Sequence, residues 1–167
     1  MKTRCVSVLL AGLLLALPVV VNGGQLDKAW PLIVHLKDAG GEPPAAEVLP
    51  DGTILLKVDT VDIARGDLKG TFSEHITQVY SQADEFGFMA ITSYWTLNTA
   101  DGTIEGYCSG QFNHLPGYKH DIQMHGEVLS VTGAYVDLYR AEVFYKAALK
   151  ADHMSMTGTL TIAPRHP

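Results

Sequence analysis

The chain has 167 residues, 47% of them hydrophobic, and 12 Lys and Arg against 18 Asp and Glu, so its formal net charge is −6. An acidic chain without a basic cluster is poorly suited to nucleic acid or to an anionic membrane surface, and we predict neither as a partner. The length is that of one domain with one hydrophobic core.

The first 24 residues have the composition of a secretory signal peptide. A short basic segment, Met1–Arg4, precedes the apolar run Val6–Val21, and small residues follow at Gly23–Gly24. A membrane anchor is the alternative, but Pro18 interrupts a run already short of the ~20 apolar residues that a spanning helix needs. We therefore predict a mature domain over residues 25–167, exported to the extracellular space or periplasm, without stable membrane insertion after cleavage.

Cysteine usage limits how the mature domain is stabilised. Cys5 lies in the predicted signal peptide and leaves Cys108 alone, so no intramolecular disulfide can form despite export to an oxidising compartment. Cys108 can be buried as a small hydrophobic residue, free and reactive, or paired between chains; we favour burial.

Beyond a first apolar run, the chain is a succession of short β-type segments separated by Gly, Asn, Asp and Pro. Ala39–Pro50 is predicted to be a loop, because its two glycines and three prolines suit neither a sheet nor a helix. Asn98–Gly102 contains an Asp-Gly pair typical of a hairpin turn. The predicted strands are Trp30–Leu36, Thr53–Ile63, Lys69–Tyr80, Phe86–Leu97, Thr103–Phe112, Tyr118–Val128, Val136–Leu149 and Ala151–Ile162.

A helix competes with a strand only over Val136–Lys150, where the apolar spacing is partly helical. We favour a strand there, because Tyr139, Val143 and Tyr145 prefer β structure. About eight meandering strands with glycines at their corners tend to close into a small barrel. The sequence thus predicts an all-β fold with an interior suited to a small-molecule ligand.

Motifs for metal, nucleotide or nucleophilic chemistry are missing from the sequence. There is no His-x-His and no Cys-x-x-Cys, and His120 and His125 fall on opposite faces of one predicted strand. There is also no Gly-x-Ser-x-Gly, phosphate loop or dinucleotide fingerprint. We predict no metal site and no cofactor.

Three segments carry a resemblance to a known family: Gly66-Asp-Leu-Lys-Gly70-Thr-Phe72, the hairpin Tyr94–Gly106, and Val131-Thr-Gly133-Ala-Tyr135. Their order and spacing are similar to those of the allene oxide cyclase and dirigent superfamily. The resemblance implies an antiparallel, closed, eight-stranded barrel that is often a homo-oligomer. Members of that family steer radical coupling or cyclise reactive, mostly apolar intermediates.

Glu74 lies between apolar residues on one face of a predicted strand, with Phe72 and Ile76 as its neighbours on that face. A carboxyl in such surroundings has a raised pKa and can act as an acid or base, or stabilise a developing cation. A second orientation stays open, in which Glu74 faces solvent or pairs with a surface lysine.

Arg140 and Glu142 share a face of the predicted strand Val136–Leu149. Opposite charges among apolar residues indicate a pair that is buried or lines a cavity mouth, where Arg140 can orient a carboxylate, phenolate or carbonyl of a ligand. The alternative is a cross-strand ion pair on the outside of the barrel, with Tyr139, Val143 and Tyr145 in the core.

Tyr94, Tyr107 and His125 are the candidate ligand-binding residues. The hairpin places Tyr94 across from the glycine-rich strand that carries Tyr107, which leaves room for a ligand or for a packed aromatic ring. Aromatic residues in strands are also common core residues. His125 shares a face with Glu127, which gives an acid–base pair.

These observations predict a secreted barrel that binds an apolar small molecule. Our interpretation is a cofactor-independent cyclase or isomerase acting on a reactive polyketide-, terpenoid-, oxylipin- or phenol-type intermediate, with Glu74, Arg140 and Glu142 as catalytic residues. That chemistry is implied by the resemblance. A lipocalin-like binding protein, a dirigent-like steering protein and a barrel filled by its own side chains are the alternatives, so catalysis itself stays open at this point.

Overall fold

A computed structural model describes residues 30–41, 45–81, 88–113, 120–149 and 156–165. Within these ranges the chain forms nine strands and one 3-10 helix. The strands are β1 (Leu32–Gly41), β2 (Ala45–Val48), β3 (Thr53–Gly66), β4 (Gly70–Ser81), β5 (Phe88–Thr99), β6 (Gly102–Asn113), β7 (His120–Val131), β8 (Glu142–Leu149) and β9 (Met156–Ala163). The 3-10 helix spans Gly133–Leu138. The predicted signal peptide lies outside the described residues.

Eight of the strands form a closed antiparallel barrel, as the sequence predicts. Strands that follow each other in the sequence pair with each other from β3 through β9, and β9 also pairs with β1. The ring is completed by pairing of β1 with β3, where Val34 lies opposite Gly66 and Asp38 lies opposite Asp62. β2 is an additional strand on the first half of β3, with Ala45 opposite Lys57.

Side chains alternate between the interior and the outer wall, as the strand pleat requires. On β5, Ile91, Trp95 and Leu97 are buried, whereas Tyr94 between them is exposed. The interior is one hydrophobic core to which every barrel strand contributes. Its largest fully buried side chains are Trp95, Tyr145, Phe72, Leu32, Ile91, Leu97, Ile104, Leu138, Leu160 and Ile162.

One end of the barrel is closed by the 3-10 helix and by the β3–β4 turn. Tyr135 and Leu138 of the helix and Leu68 of the turn are buried there. The hydroxyl of Tyr135 lies 2.7 Å from the hydroxyl of Thr99 at the end of β5, which ties the helix to the hairpin. Residues 42–44, 82–87, 114–119 and 150–155, which follow β1, β4, β6 and β8 in the sequence, lie outside the described residues.

The prediction of one strand over Val136–Leu149 is wrong in its first part. Residues up to Leu138 belong to the 3-10 helix, and β8 begins only at Glu142. Gly133 has φ +64, and a side chain there would overlap the carbonyl oxygen of Asp101, so the chain turns inward at this glycine instead of extending. Burial of Tyr135 and Leu138 then favours the short helix over a strand.

The predicted loop Ala39–Pro50 is also shorter than expected. β1 continues to Gly41, and Ala45–Val48 forms β2. All four residues of β2 are exposed, so this strand is held by backbone pairing to the overhanging part of β3 and not by burial. Local composition carries no signal for such a strand.

No helix within the described ranges is long and apolar enough to cross a membrane.

Gly106 is expected to be essential for packing, because a Cβ at this position would overlap the Trp95 ring. Gly106→Ala should lower the free energy of unfolding by about 1–3 kcal/mol, the usual effect of overpacking a core. Urea unfolding of Gly106→Ala in the wild-type and in a Trp95→Leu background checks this. The cost should fall by at least half when the ring is removed, and an equal cost in both backgrounds would refute the contact.

Candidate site in the barrel interior

The barrel interior contains a group of polar side chains surrounded by the hydrophobic core. Asp62 on β3, Glu74 on β4 and Ser93 on β5 are 2%, 3% and 0% exposed, and Tyr145 on β8 is fully buried. Strand alternation places them inside, since each has buried apolar neighbours two residues away. The inward orientation is therefore the one that Glu74 adopts. We call Asp62, Glu74, Ser93 and Tyr145 the interior polar cluster.

The strand register brings Glu74 to the centre of this cluster. Thr60 of β3 lies opposite Glu74 on one side, and Trp95 of β5 lies opposite it on the other. Trp95 in turn lies opposite Gly106, over which its ring packs. One row of inward positions therefore carries a hydroxyl, a carboxyl and an indole across neighbouring strands.

Most polar atoms of this region have no hydrogen-bond partner in the part of the protein that the structure describes. The unpartnered atoms are both carboxyl oxygens of Glu74, Oδ2 of Asp62, Oγ of Ser93, Oη of Tyr145, Oγ1 of Thr60 and Nε1 of Trp95. Leaving a buried polar group unsatisfied costs about 1–3 kcal/mol, so such groups rarely occur together. Their concentration in one place indicates a site that polar groups of another molecule, water or ligand, complete.

Burial raises the pKa values of both carboxyls of the cluster, and it raises that of Glu74 more than that of Asp62. Loss of solvation, with a smaller contribution from the nearby Asp62, raises the pKa of Glu74 to about 8. The hydroxyls of Tyr145 and Ser93 act in the opposite direction on that pKa, although neither completes a hydrogen bond to Glu74. Loss of solvation, followed by repulsion from Asp38, raises the pKa of Asp62 to about 6. At pH 7 Glu74 therefore holds its proton and Asp62 is mostly ionised.

The remaining walls of the site are aromatic. The Phe72 and Trp95 rings stack with centroids 5.6 Å apart, and Phe72 meets Tyr145 edge-on at 6.3 Å. A Cβ at Gly158 would lie 2.7 Å from Cε2 of Tyr145, so this glycine makes room for the tyrosine ring. At Gly106 the glycine-rich strand β6 likewise accommodates a packed ring, that of Trp95, which is one of the two uses predicted for this strand.

Cys108 is fully buried next to this site, as predicted. Loss of solvation raises the pKa of its thiol to about 12, with a smaller opposing effect from Trp95. The thiol is therefore not ionised at neutral pH, and it lacks the thiolate character that nucleophilic catalysis requires.

The structure does not bring Arg140 and Glu142 to Glu74. Arg140 lies in the turn before β8 with φ +67; it is exposed, and its Nε is 3.2 Å from Oε2 of Glu127. Glu142 is the half-buried first residue of β8, opposite Glu127. The ion pair is thus formed outside the interior, and its acidic partner is Glu127 and not Glu142. Arg165 also approaches Glu127, at 3.8 Å.

Tyr94, Tyr107 and His125 lie on the outer wall of the barrel. The rings of Tyr94 and Tyr107 are 4.8 Å apart, and Tyr94 borders a groove of about 480 Å³ across β3 to β6. His125 packs against Phe144 at 4.7 Å, in a second groove of about 590 Å³ over β6 to β8. These three residues are on the outward side of their strands, although Thr60, Glu74 and Trp95 also border the groove next to Tyr94.

Asp62, Ser93 and Tyr145 are the site residues that the sequence reasoning missed. The signal for Asp62 is that it lies on the same face of β3 as the apolar residues Val58 and Ala64. The same alternation identified the face of Glu74. No comparable signal existed for Tyr145, because its proximity to Glu74 depends on closure of the barrel. In the described ranges, no three His, Cys, Asp or Glu side chains are grouped so that they could hold a metal ion.

Comparisons of the chain with protein-family models, with curated proteins and with solved structures find no match.

The raised carboxyl pKa values predict that stability falls as the pH rises. Between pH 4.5 and about 8, folded Glu74 retains a proton that the unfolded chain has released, and Asp62 does the same between 3.8 and about 6. The free energy of unfolding should therefore decrease by up to about 1.4 kcal/mol per pH unit for Glu74 alone. Above pH 8 this dependence should cease.

Urea unfolding at pH 5, 6, 7, 8 and 9 measures this dependence. Glu74→Gln should flatten the profile between pH 6 and 8, whereas Glu105→Gln, which removes an exposed charge from the outer wall of β6, should leave it unchanged. A steep decline that persists in Glu74→Gln would contradict the assignment.

Proposed function

We propose that this protein binds an apolar small molecule inside the barrel and isomerises or cyclises it without a cofactor. The observation that carries the proposal is the interior polar cluster, in which buried polar atoms lack partners among the described residues. Stability alone does not favour such a cluster, since apolar side chains would fill the same space at lower cost. A ligand that supplies the missing hydrogen bonds accounts for it.

Glu74 is the proton donor in this proposal. Its raised pKa keeps the carboxyl protonated at neutral pH in an apolar site, a state suited to general acid catalysis. Asp62 has the lower pKa of the two and is the acceptor that takes a proton elsewhere on the substrate. The hydroxyls of Ser93 and Tyr145 are placed to hold polar atoms of the substrate, and exclusion of water strengthens these interactions.

The aromatic walls hold the apolar part of the substrate. The rings of Phe72, Trp95 and Tyr145 form a rigid surface against which a flexible molecule can be folded, so that its reacting atoms meet. Met89, Met124 and Met156 lie on the core side of the strands, toward the end opposite the 3-10 helix. Methionine side chains adapt their shape readily, which favours entry from that end.

The close packing of the interior favours a second candidate, a barrel that binds or steers a ligand without converting it. Trp95 packs directly over Gly106, and Tyr145 packs against Gly158, so the rings occupy much of the space between the strands. Such a protein retains the same polar groups for recognition alone. The proposal also includes export of the mature domain, as a homo-oligomer of the allene oxide cyclase or dirigent type.

The first experiment is native mass spectrometry of the wild-type protein and of Glu74→Gln purified from the same producing cells. Both should retain a small molecule. Because isomers share a mass, the released molecules are compared by chromatography and by NMR. A catalyst should carry product in the wild-type and substrate in the variant, with conversion slowed by about 10²–10⁴, the usual contribution of a general acid.

Asp59→Asn is the matched control, because it neutralises a carboxylate on the outer wall of β3 and should behave as the wild-type does. Identical molecules from wild-type and Glu74→Gln would favour the binding protein. A protein that retains nothing and binds no apolar fluorescent dye would leave only a barrel filled by its own side chains.

A further inference from the structure

Positive charge is absent from the barrel interior over the described ranges. Every Lys and Arg side chain that the structure describes is exposed: Lys37, Lys57, Arg65, Lys69, Arg140, Lys146 and Arg165. The three described histidine side chains, His35, His75 and His125, are exposed as well. Each ion pair of the described residues involves the outer wall or the barrel ends, and none includes Asp62 or Glu74.

Carboxyl groups, in contrast, are concentrated inside. Asp62, which is mostly ionised at pH 7, and Glu74, which holds its proton there, are both buried. Buried carboxyls are normally paired with a cation, because an uncompensated buried charge is strongly unfavourable. The interior therefore has acceptors and negative charge but no cation of its own in the described part of the chain.

The unpartnered atoms specify what kind of group would complete the site. Three are carboxyl oxygens, Oε1 and Oε2 of Glu74 and Oδ2 of Asp62, and two are hydroxyl oxygens, of Ser93 and Tyr145. Ionised Asp62 only accepts hydrogen bonds, and Glu74 does so on both oxygens once it has released its proton to solvent. Each hydroxyl can both donate and accept. An ammonium group offers three donors and a positive charge, a hydroxyl offers one donor, and a carbonyl offers none. Of these groups, only the ammonium supplies several donors together with a positive charge.

The aromatic walls fit the same group. Phe72, Trp95 and Tyr145 border the cluster, with ring centroids 5.6 and 6.3 Å apart for the two pairs that include Phe72. The faces of aromatic rings attract organic cations, most strongly in sites from which water is excluded. Carboxylates and ring faces together form the usual environment of a bound organic ammonium.

We infer that the interior site takes a primary amine with an apolar or aromatic body, its ammonium group bound between Glu74 and Asp62 and flanked by the rings of Phe72, Trp95 and Tyr145. The inference rests on the proposed function in using the same site, and it names the chemical class of the ligand. The ammonium is the counter-ion of ionised Asp62, and Glu74 releases its proton to solvent when the ammonium binds. Neutral and anionic molecules of the same shape bind less well, because they leave Asp62 without a counter-ion.

Isothermal titration calorimetry at pH 7 tests this with two matched series. The first compares 2-phenylethylamine with 2-phenylethanol and phenylacetate, and the second compares tryptamine with the corresponding indole alcohol. Each amine should bind at least tenfold more tightly than its alcohol, and phenylacetate should bind most weakly. Equal binding of amine and alcohol, or no binding of any member, overturns the inference.

Three variants locate the interaction. Glu74→Gln and Asp62→Asn should each reduce the preference for amine over alcohol at least tenfold, whereas Asp59→Asn on the outer wall should keep it. Circular dichroism melts confirm folding, which neutralisation of a buried carboxyl is expected to improve at pH 8. A similar loss in Asp59→Asn would show a general charge effect and reject the site.

The outcomes separate this inference from the proposed function. Selective amine binding without any Glu74-dependent conversion retains the amine site and rejects the isomerase. Glu74-dependent conversion of a neutral molecule, with no preference for amines, retains the isomerase and rejects the amine site.

Discussion

Pairing of β1 with β3 is the constraint on which the rest of this structure depends. Without it the sheet would be open, and the inward faces of its strands would have access to water at two edges. With it, the inward face of every barrel strand becomes interior, and whatever polar group that face carries must be satisfied there. The burial of the Asp62 and Glu74 carboxyls, and the raised pKa values that burial causes, follow directly from this closure.

The same closure produces an interior with two different kinds of wall. Large apolar side chains fill most of it, and the 3-10 helix closes one end with Tyr135 and Leu138. Within that apolar surrounding, carboxyls, hydroxyls and an indole nitrogen occupy neighbouring inward positions on β3, β4, β5 and β8. A hydrocarbon-like environment around a few polar groups is typical of small-molecule sites. It is also the condition under which a carboxyl holds its proton at neutral pH.

The sequence predicted the eight-stranded barrel and included the inward orientation of Glu74 as one of two, because both depend on local information. Glycine and Asp-Gly corners mark the strand ends, and alternation with Phe72 and Ile76 identifies the face of Glu74. Arg140, in contrast, was assigned to a strand that begins only after it, because the inward turn at Gly133 depends on contact with Asp101, which is distant in sequence. Tyr145 was not recognised as a neighbour of Glu74, since which strands face each other across a barrel is a property of closure and strand tilt.

β2 remains outside the ring, and this has a consequence for how the protein behaves at high concentration. Among the described strands it is the one that pairs on a single side, so its outer edge is where another chain could add a strand. That edge is only four residues long, and it carries the charged Glu47, 3.6 Å from Lys57 on the neighbouring strand. A short, charged edge is a poor template for strand addition, so the barrel wall is protected against edge-to-edge aggregation by the one strand that does not belong to it.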